Sequence, residues 1–129
     1  MEKCNVMGIF LKDAQYKFEE VDRKYIEITF EDKIKIVEID GNRAVVKIGR
    51  ELLFDSKAES YVKANYEATL EYDEQISKER VMKDIESKVV NLFGVYVQIS
   101  LLISQITNMS PYGPIVTPPG YDDDRIIIE

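Results

Sequence analysis

The segment VVNLFGVYVQISLLISQITNMSPYGPIVTPPGY, residues 89–121, contains no charged side chain, although charged residues make up 32% of the chain. All 17 basic and 24 acidic residues of the 129-residue protein lie outside it. The first part has helical spacing, and residues 110–121 form a loop rich in Pro and Gly. One side of such an apolar helix is expected to pack on the chain's own sheet, and the rest requires a further cover.

Apolar residues recur every three or four positions in the second half of the chain, which predicts one long helix over about residues 77–108. Ser77 is the predicted N-cap, because its hydroxyl can accept a hydrogen bond from a first-turn amide. Pro111 marks a point by which the helix has ended. Polar residues spaced by seven predict one hydrophilic stripe along the helix, made of Ser77, Asp84, Asn91, Gln98 and Gln105.

The first half of the chain has the two-residue alternation of strands that are dry on one face and wet on the other. Residues 62–72 alternate over eleven positions, and residues 26–31 alternate in the same way. Residues 6–19 give a weaker strand pattern. Four strands over about residues 6–73, with no helix between them, predict an antiparallel sheet.

Three places should interrupt or turn these strands. The alternation changes phase at Val37, which predicts a β-bulge, and Gly49 is interpreted as a second bulge. Asp40-Gly41-Asn42 predicts a hairpin turn, because Gly and Asn tolerate positive φ.

Taken together, the strands and the helix predict an α+β fold, one domain over residues 1–129. It consists of a four-stranded antiparallel sheet, one long apolar helix, and a Pro-rich loop with an acidic tail at 109–129.

Composition narrows the function classes. A chain of 14.9 kDa fits one domain, and a net charge of −7 argues against binding to nucleic acid. The single Cys4 and the absence of His fit a reducing compartment, predicted to be the cytoplasm, and exclude the usual zinc sites. Asp122-Asp123-Asp124 is interpreted as a solvated acidic tail, so no metal is expected. Residues 89–106 are long enough to span a membrane, but their organised polar positions argue against insertion.

The width of the apolar helix surface predicts that the chain forms a homo-oligomer, a dimer or a tetramer. The alternative, in which the chain's own sheet and loops cover the helix, stays open. Two small residues four positions apart offer a flat surface for close packing within the predicted interface. That interface consists of Phe93, Val97, Ser100, Leu101 and Ser104.

The order of elements, strands first, then one apolar helix and a Pro-rich loop, resembles the SecB family of export chaperones. Residues 9–16, IFLKDAQY, resemble the opening strand of that family, and residues 61–72 resemble its fourth strand. Residues 99–121 resemble the helix end and a following loop that closes on the motif TPPGY. The resemblance covers about residues 6–121.

This resemblance implies a four-stranded antiparallel sheet and helices at the interface of a dimer of dimers. It also implies a cytosolic holdase that binds unfolded polypeptides in hydrophobic grooves without ATP. The family docks the SecA motor through acidic residues on the sheet. Asp13 matches one of them, but Lys17 and Lys63 reverse the charge at other positions, and the eight residues after Tyr121 are too few for the family's second helix and motor-binding tail. Binding to SecA is therefore expected to be weak.

Three functions remain open from the sequence: an ATP-independent holdase, a SecB-like chaperone of a toxin–antitoxin system, and a structural subunit that binds no client. No Gly-rich phosphate loop, nucleophile elbow or metal spacing is present, so neither an enzyme nor a cofactor is expected. Eight tyrosines and four methionines suit an adaptable apolar surface for extended peptides. The predicted peptide-binding residues are Phe30, Phe54, Tyr66, Leu70, Tyr72, Tyr96, Tyr112 and Tyr121.

Overall fold

The computed structural model describes residues 4–19, 27–55, 60–122 and 126–129. They form a sheet of five strands with two helices on one face, an α+β fold. The strands are β1 (Cys4–Lys17), β2 (Glu27–Asp40), β3 (Arg43–Asp55), β4 (Tyr61–Tyr72) and β5 (Ile126–Ile128), and the helices are α1 (Lys78–Glu86) and α2 (Phe93–Asn108). The predicted strand residue Ile26 and the tail carboxylates Asp123 and Asp124 lie outside the described residues.

The strand order is β1-β4-β3-β2-β5. The first four strands pair antiparallel, as predicted, but β5 adds to β2 in parallel, so the sheet is mixed. The expectation of four strands is therefore corrected to five. The fifth strand was missed because three consecutive isoleucines after an acidic run show no alternation.

Alternation along the central strands decides which face is covered. Even-numbered residues point to the helices and are buried from Ala44 to Leu52 in β3 and from Val62 to Tyr72 in β4, whereas their odd-numbered neighbours are partly or fully exposed. The helices close this face with Val81 and Ile85 from α1 and with Val95, Ile99 and Ile103 from α2, all fully buried. The core therefore lies between one sheet face and the two helices.

The turn and one of the two expected bulges are confirmed. Gly41 has φ 62°, and the pairing of Asp40 with Arg43 closes a two-residue hairpin loop around it. The register of β2 shifts between Ile36 and Glu38, where the phase change had placed a bulge. The bulge at Gly49 is wrong, since Gly49 pairs in register with both neighbouring strands. A Cβ atom at this position would collide with the side-chain oxygen of Asn65, so a larger residue would require the Asn65 amide to move.

The single long helix is wrong: residues 87–92 separate α1 from α2. Lys88 has φ 60°, and its amide donates to the Ile85 carbonyl at 3.1 Å. The amide of Val89 donates to the Asp84 carbonyl at 2.9 Å. These two bonds around a left-handed residue form a Schellman motif, which ends the helix. A lysine occupies the position where glycine usually marks this ending, so the end of α1 was not predictable from the residue types.

The ends of the helical region agree better with the sequence. The Ser77 hydroxyl accepts from the Arg80 amide at 3.2 Å, which confirms the N-cap. Asp84, however, lies in the interior, where its carboxylate accepts from the Tyr72 hydroxyl at 3.0 Å. The predicted hydrophilic stripe is therefore not continuous. Within the described residues, no helix is long and apolar enough to cross a membrane.

Candidate functional site: an apolar edge and a clamped loop

The helices leave part of the core-facing side of β1 uncovered. Leu11, Ala14 and Tyr16 lie opposite the buried residues Tyr66, Ala64 and Val62 of β4, so the three share the face on which the helices pack. Leu11 is nevertheless 44% exposed and Tyr16 50% exposed. We call Leu11, Ala14 and Tyr16 the β1 strip. It is an apolar surface along a strand that has, in the described chain, a neighbour on one side only.

An aromatic cluster continues the β1 strip at its far end. The ring of Tyr16 lies 5.7 Å from that of Phe18. Phe18 in turn lies 6.4 Å from both Phe54 and Tyr112, whose own ring centroids are 4.9 Å apart. Phe18 was not predicted from the sequence, because it falls at the end of the weakest strand pattern. The cluster joins β1, β3 and the Pro-rich loop into one aromatic surface.

Hydrogen bonds fix the loop side of this cluster. The Tyr112 hydroxyl donates to the Glu19 carbonyl at 3.0 Å and lies 3.0 Å from the Ser60 hydroxyl. The Glu19 amide donates to the same Ser60 oxygen at 3.0 Å. Tyr112 therefore anchors the loop to the end of β1 and the start of β4, and only part of its ring faces solvent.

A buried arginine holds the other end of the loop. The Arg50 guanidinium donates to both carboxylate oxygens of Asp32, at 2.7 and 2.9 Å. Its remaining N–H groups donate to the Thr117 hydroxyl and to the carbonyls of Pro118 and Gly120, at 2.5–3.0 Å. All five donors of the guanidinium are used. We call residues 115–121, which this side chain ties to the sheet, the strap.

Aromatic rings enclose the same guanidinium. The Arg50 Cζ atom lies 4.6 Å from the centroid of Phe30 and 5.0 Å from that of Tyr96, in cation–π geometry. The Tyr96 ring lies 5.6 Å from that of Tyr121, at the end of the strap. Two predicted peptide-binding residues, Phe30 and Tyr96, thus enclose a buried cation, and a third, Tyr121, packs against Tyr96. The sequence analysis missed Arg50 and Asp32, although both occupy inward positions of the strand alternation.

The structure divides the predicted peptide-binding residues into two groups. Tyr66, Leu70, Tyr72 and Tyr96 are at most 7% exposed and belong to the core beneath the helices, so they present almost no surface to a peptide. The alternation of β4 turns Tyr66, Leu70 and Tyr72 toward α1 and α2, and Tyr96 lies on the inner side of α2. The other four are half-buried at the edges of the core: Phe30, Phe54, Tyr112 and Tyr121.

Burial also changes the acid–base behaviour of the core tyrosines. Loss of hydration raises the pKa of the Tyr66, Tyr72 and Tyr96 phenols above the ordinary value, and the nearby Asp84 carboxylate adds to the effect at Tyr72. The Tyr72 phenol therefore stays protonated and donates to Asp84. Among the described residues, the buried Tyr96 hydroxyl has no hydrogen-bond partner.

The predicted oligomer-interface residues lie mainly on the outer side of α2. Phe93 is 59% and Leu101 60% exposed, and Val97 and Ser104 are half-buried. Ser100 differs, since its hydroxyl donates to the Pro118 carbonyl and accepts from Thr117, both at 3.2 Å. It packs α2 against the strap of its own chain. We call the other four residues the outer α2 face: Phe93, Val97, Leu101 and Ser104.

A cleft of about 380 Å³ opens at the break between the helices. Phe93 and Tyr121 both line it, and the Lys88 ammonium lies 5.3 Å from the Tyr121 ring centroid. The Tyr121 hydroxyl donates to the Ile85 carbonyl at the end of α1. The cleft therefore connects the strap with one end of the outer α2 face.

The opposite face of the sheet is charged. Register places Asp13, Lys17 and Lys63 on it, the face on which the resemblance locates motor-docking carboxylates. The Lys17 ammonium lies 3.2 Å from the Glu19 carboxylate, and that of Lys63 lies 3.8 Å from Glu51. In the described parts of the chain, no group of three or more Cys, Asp or Glu side chains is arranged to hold a metal ion.

Among solved structures, this fold is similar to the SecB-like chaperone Rv1957 of Mycobacterium tuberculosis, determined in complex with a ChAD peptide from the HigA1 antitoxin. The TM-score is 0.66 and the identity 14%, over 92% of this chain and 88% of that chain. A protein of unknown function from Streptococcus agalactiae aligns with a TM-score of 0.40 and 11% identity, over 92% and 98% of the two chains. The sequence matches no protein-family model and no curated protein. The similarity to the Mycobacterium tuberculosis structure shows that the chain has a SecB-like fold.

Proposed function

We propose that this protein is an ATP-independent holdase that binds unfolded or extended polypeptides. The observation that carries the proposal is the β1 strip, an apolar surface left uncovered on the core-facing side of a SecB-like sheet. Leu11 and Tyr16 are about half exposed there, and the aromatic cluster extends the surface toward the loop. A client side chain buried on such a surface contributes about 1.5–3 kcal/mol.

The edge position of β1 supports the same role. An edge strand offers backbone N–H and C=O groups to a partner, which an extended polypeptide can satisfy whatever its sequence. The β1 strip then provides apolar contacts for alternate side chains of that polypeptide. A chaperone requires this combination, because its clients share a backbone but no sequence.

The proposal includes self-association through the outer α2 face, to a dimer or a tetramer. Two large side chains, Phe93 and Leu101, are exposed there by 59% and 60%. With Val97 between them at a spacing of four residues, they form a continuous apolar row along the helix, and a contiguous apolar surface supports a contact with another subunit. We propose that the protein acts in the cytoplasm, without catalysis or a cofactor, and that it binds SecA weakly or not at all.

A second candidate is a SecB-like chaperone of a toxin–antitoxin system. The observation that favours it is the structural neighbour from Mycobacterium tuberculosis, whose structure contains a peptide of an antitoxin. In this variant the β1 strip would bind one segment of one antitoxin rather than many clients. Coexpression with the products of neighbouring genes, followed by co-purification, distinguishes the two.

The experiment that tests the holdase proposal is suppression of aggregation of a chemically unfolded model protein, without nucleotide. Substituting Leu11→Asp together with Tyr16→Asp should weaken it, because each carboxylate replaces apolar contact with a desolvation cost. The matched control is Gln15→Asp, on the same strand but facing away from the helices. Tyr112 and Tyr121 are poorer targets, because their hydroxyls hold the loop in place.

The expected result is that the wild type and Gln15→Asp slow aggregation, whereas the double variant slows it much less at equal stability. Wild-type protein in several-fold excess that leaves the aggregation trace unchanged would refute the holdase role. If the double variant suppressed aggregation as well as the wild type, clients would have to bind somewhere other than the β1 strip.

A further inference from the structure

The C-terminal residues 126–129 occupy the edge of β2 as an added strand. Ile126, Ile127 and Ile128 pair in parallel with residues 32–34. The Glu129 amide then donates to the Ile34 carbonyl, and the Ile36 amide donates to the Glu129 carbonyl, both at 2.8 Å. The chain thus places a short extended segment on its own sheet edge, opposite to β1.

Alternate side chains of this segment differ in their burial. Ile126 and Ile128 are partly buried against the core, and Ile128 lies beside the fully buried Ile34. Ile127 points the other way and is 56% exposed. The edge therefore accepts aliphatic side chains at every second position, which is the way a sheet edge selects an extended ligand.

Charge adds a further preference. The Lys33 ammonium lies 3.2 Å from the Glu129 carboxylate, and Lys35 and Lys47 lie near Lys33 in a shallow basic depression on the same face. An acidic residue directly after the aliphatic pair is therefore favoured. The edge has a readable pattern: aliphatic, any residue, aliphatic, acidic.

The bound segment is short compared with the edge it occupies. β5 has three residues and β2 has fourteen, so most of the β2 edge extends beyond it. A three-residue strand makes few ladder hydrogen bonds and opens at much lower free energy than the central strands. Such a segment is replaceable by a longer one with the same pattern.

We infer that the edge of β2 is a strand-addition site for an extended polypeptide segment carrying the pattern aliphatic, any residue, aliphatic, acidic. Residues 126–129 occupy this site in the free protein and compete with the partner segment. The inference goes beyond the holdase proposal and does not depend on it, because the β1 strip lies at the other edge of the sheet. Failure of one leaves the other standing.

The test uses the full chain and a fluorescent peptide with the sequence YDDDRIIIE, residues 121–129. Ile128→Asp should release the chain's own segment and open the edge to the peptide. Ile127→Asp introduces the same charge on the exposed side and serves as the matched control. If the segment occupies its site nearly all the time, releasing it should tighten peptide binding by at least about tenfold in Ile128→Asp, measured by fluorescence anisotropy.

Amide hydrogen exchange locates the peptide. The Ile36 amide should exchange faster in Ile128→Asp than in the wild type, and saturating peptide should restore its protection. Glu129→Lys, which replaces the attraction to Lys33 with repulsion, should shift both measurements in the same direction by a smaller amount. If Ile128→Asp does not fold, Glu129→Lys still allows both measurements to be made.

Three outcomes would overturn the inference. The first is equal peptide affinity of the wild type, both edge variants and the control. The second is peptide-dependent protection of β1 amides in place of Ile36. The third is loss of Ile36 protection on dilution of the wild type, since this would mean that a second copy of the chain supplies the segment.

Discussion

Substituting Arg50→Met tests whether one buried side chain controls both stability and the position of the strap. The substitution removes five hydrogen bonds at once and leaves the Asp32 carboxylate, 2% exposed, without its cation. The Gly120 carbonyl also loses its donor. Thr117 and Pro118 keep their hydrogen bonds to Ser100. The damage is therefore concentrated on the carboxylate and on the end of the strap.

The magnitude follows from the burial of the pair. Breaking a buried ion pair by removing one partner costs about 3–5 kcal/mol, because an uncompensated charge remains inside. A domain of this size is stable by roughly 6–19 kcal/mol, at about 0.05–0.15 kcal/mol per residue. Arg50→Met should therefore lose a large fraction of the free energy of unfolding and still fold under mild conditions. Urea denaturation followed by circular dichroism measures the loss.

Combining Arg50→Met with Asp32→Leu separates the cost of the unpaired buried charge from the effect of losing the hydrogen bonds to the strap. The double variant contains no buried charge at this position, and replacing a buried pair with apolar side chains is often neutral or better. We expect it to regain most of the stability lost by the single variant. The strap should still be loose, because no guanidinium donates to Pro118 and Gly120, and proteolysis within residues 115–121 should be faster than in the wild type.

Two results would refute this reasoning. A loss of less than about 1 kcal/mol in Arg50→Met would mean that the buried pair contributes no more than an exposed one. A double variant with a protease-resistant strap would mean that the loop is held by its apolar contacts and not by the arginine.

Two further predictions concern assembly and the translocation motor. Leu101→Arg should dissociate the oligomer in light scattering while the monomer stays folded, whereas Gln15→Arg, on the sheet face that points away from the helices, should leave it assembled. A wild type that is monomeric at micromolar concentration contradicts the interface. SecA binding, measured by surface plasmon resonance, should be weak and should become stronger in the combined variant Lys17→Glu, Lys63→Glu, because opposite charge increases association rates. Tight, salt-sensitive binding by the unmodified protein would contradict the latter.

The sheet was predictable because its residues repeat a simple physical pattern. Eleven alternating residues in β4 and a Gly-centred turn after β2 each have one common structural solution, and the structure adopts it. The helix break was not predictable in the same way. Apolar spacing continues through residues 87–92, and the left-handed position is occupied by Lys88. The hydrogen bonds that end α1 are made by the backbone amides of Lys88 and Val89, so no side-chain type marks the position.

The candidate site was harder to predict than the fold, because aromatic residues were chosen by residue type and not by the face of the strand on which they lie. Tyr66, Leu70 and Tyr72 occupy the inward phase of β4, so the same alternation that predicted the strand also places them beneath the helices. Phase could also have identified Arg50, an inward charge that must find a partner, and Asp32, its partner on the next strand. The strand alternation cannot show how far the helices extend over the sheet. Leu11 and Tyr16 are exposed because the helices do not reach over them.

The two edges of the sheet explain why the exposed surfaces lie where they do. An uncovered edge strand with apolar side chains tends to pair with other chains, and proteins usually shorten, charge or cover such edges. Here the chain's own residues 126–129 partly cover the β2 edge, whereas β1 presents fourteen residues with Met7, Phe10, Leu11 and Tyr16 exposed. In the described parts of the chain, one edge of the sheet is covered and the other is apolar and uncovered, which favours aggregation unless the uncovered edge binds a partner. The asymmetry therefore favours β1 as an edge at which polypeptide partners bind directly. At the β2 edge, a partner would have to displace the chain's own residues 126–129.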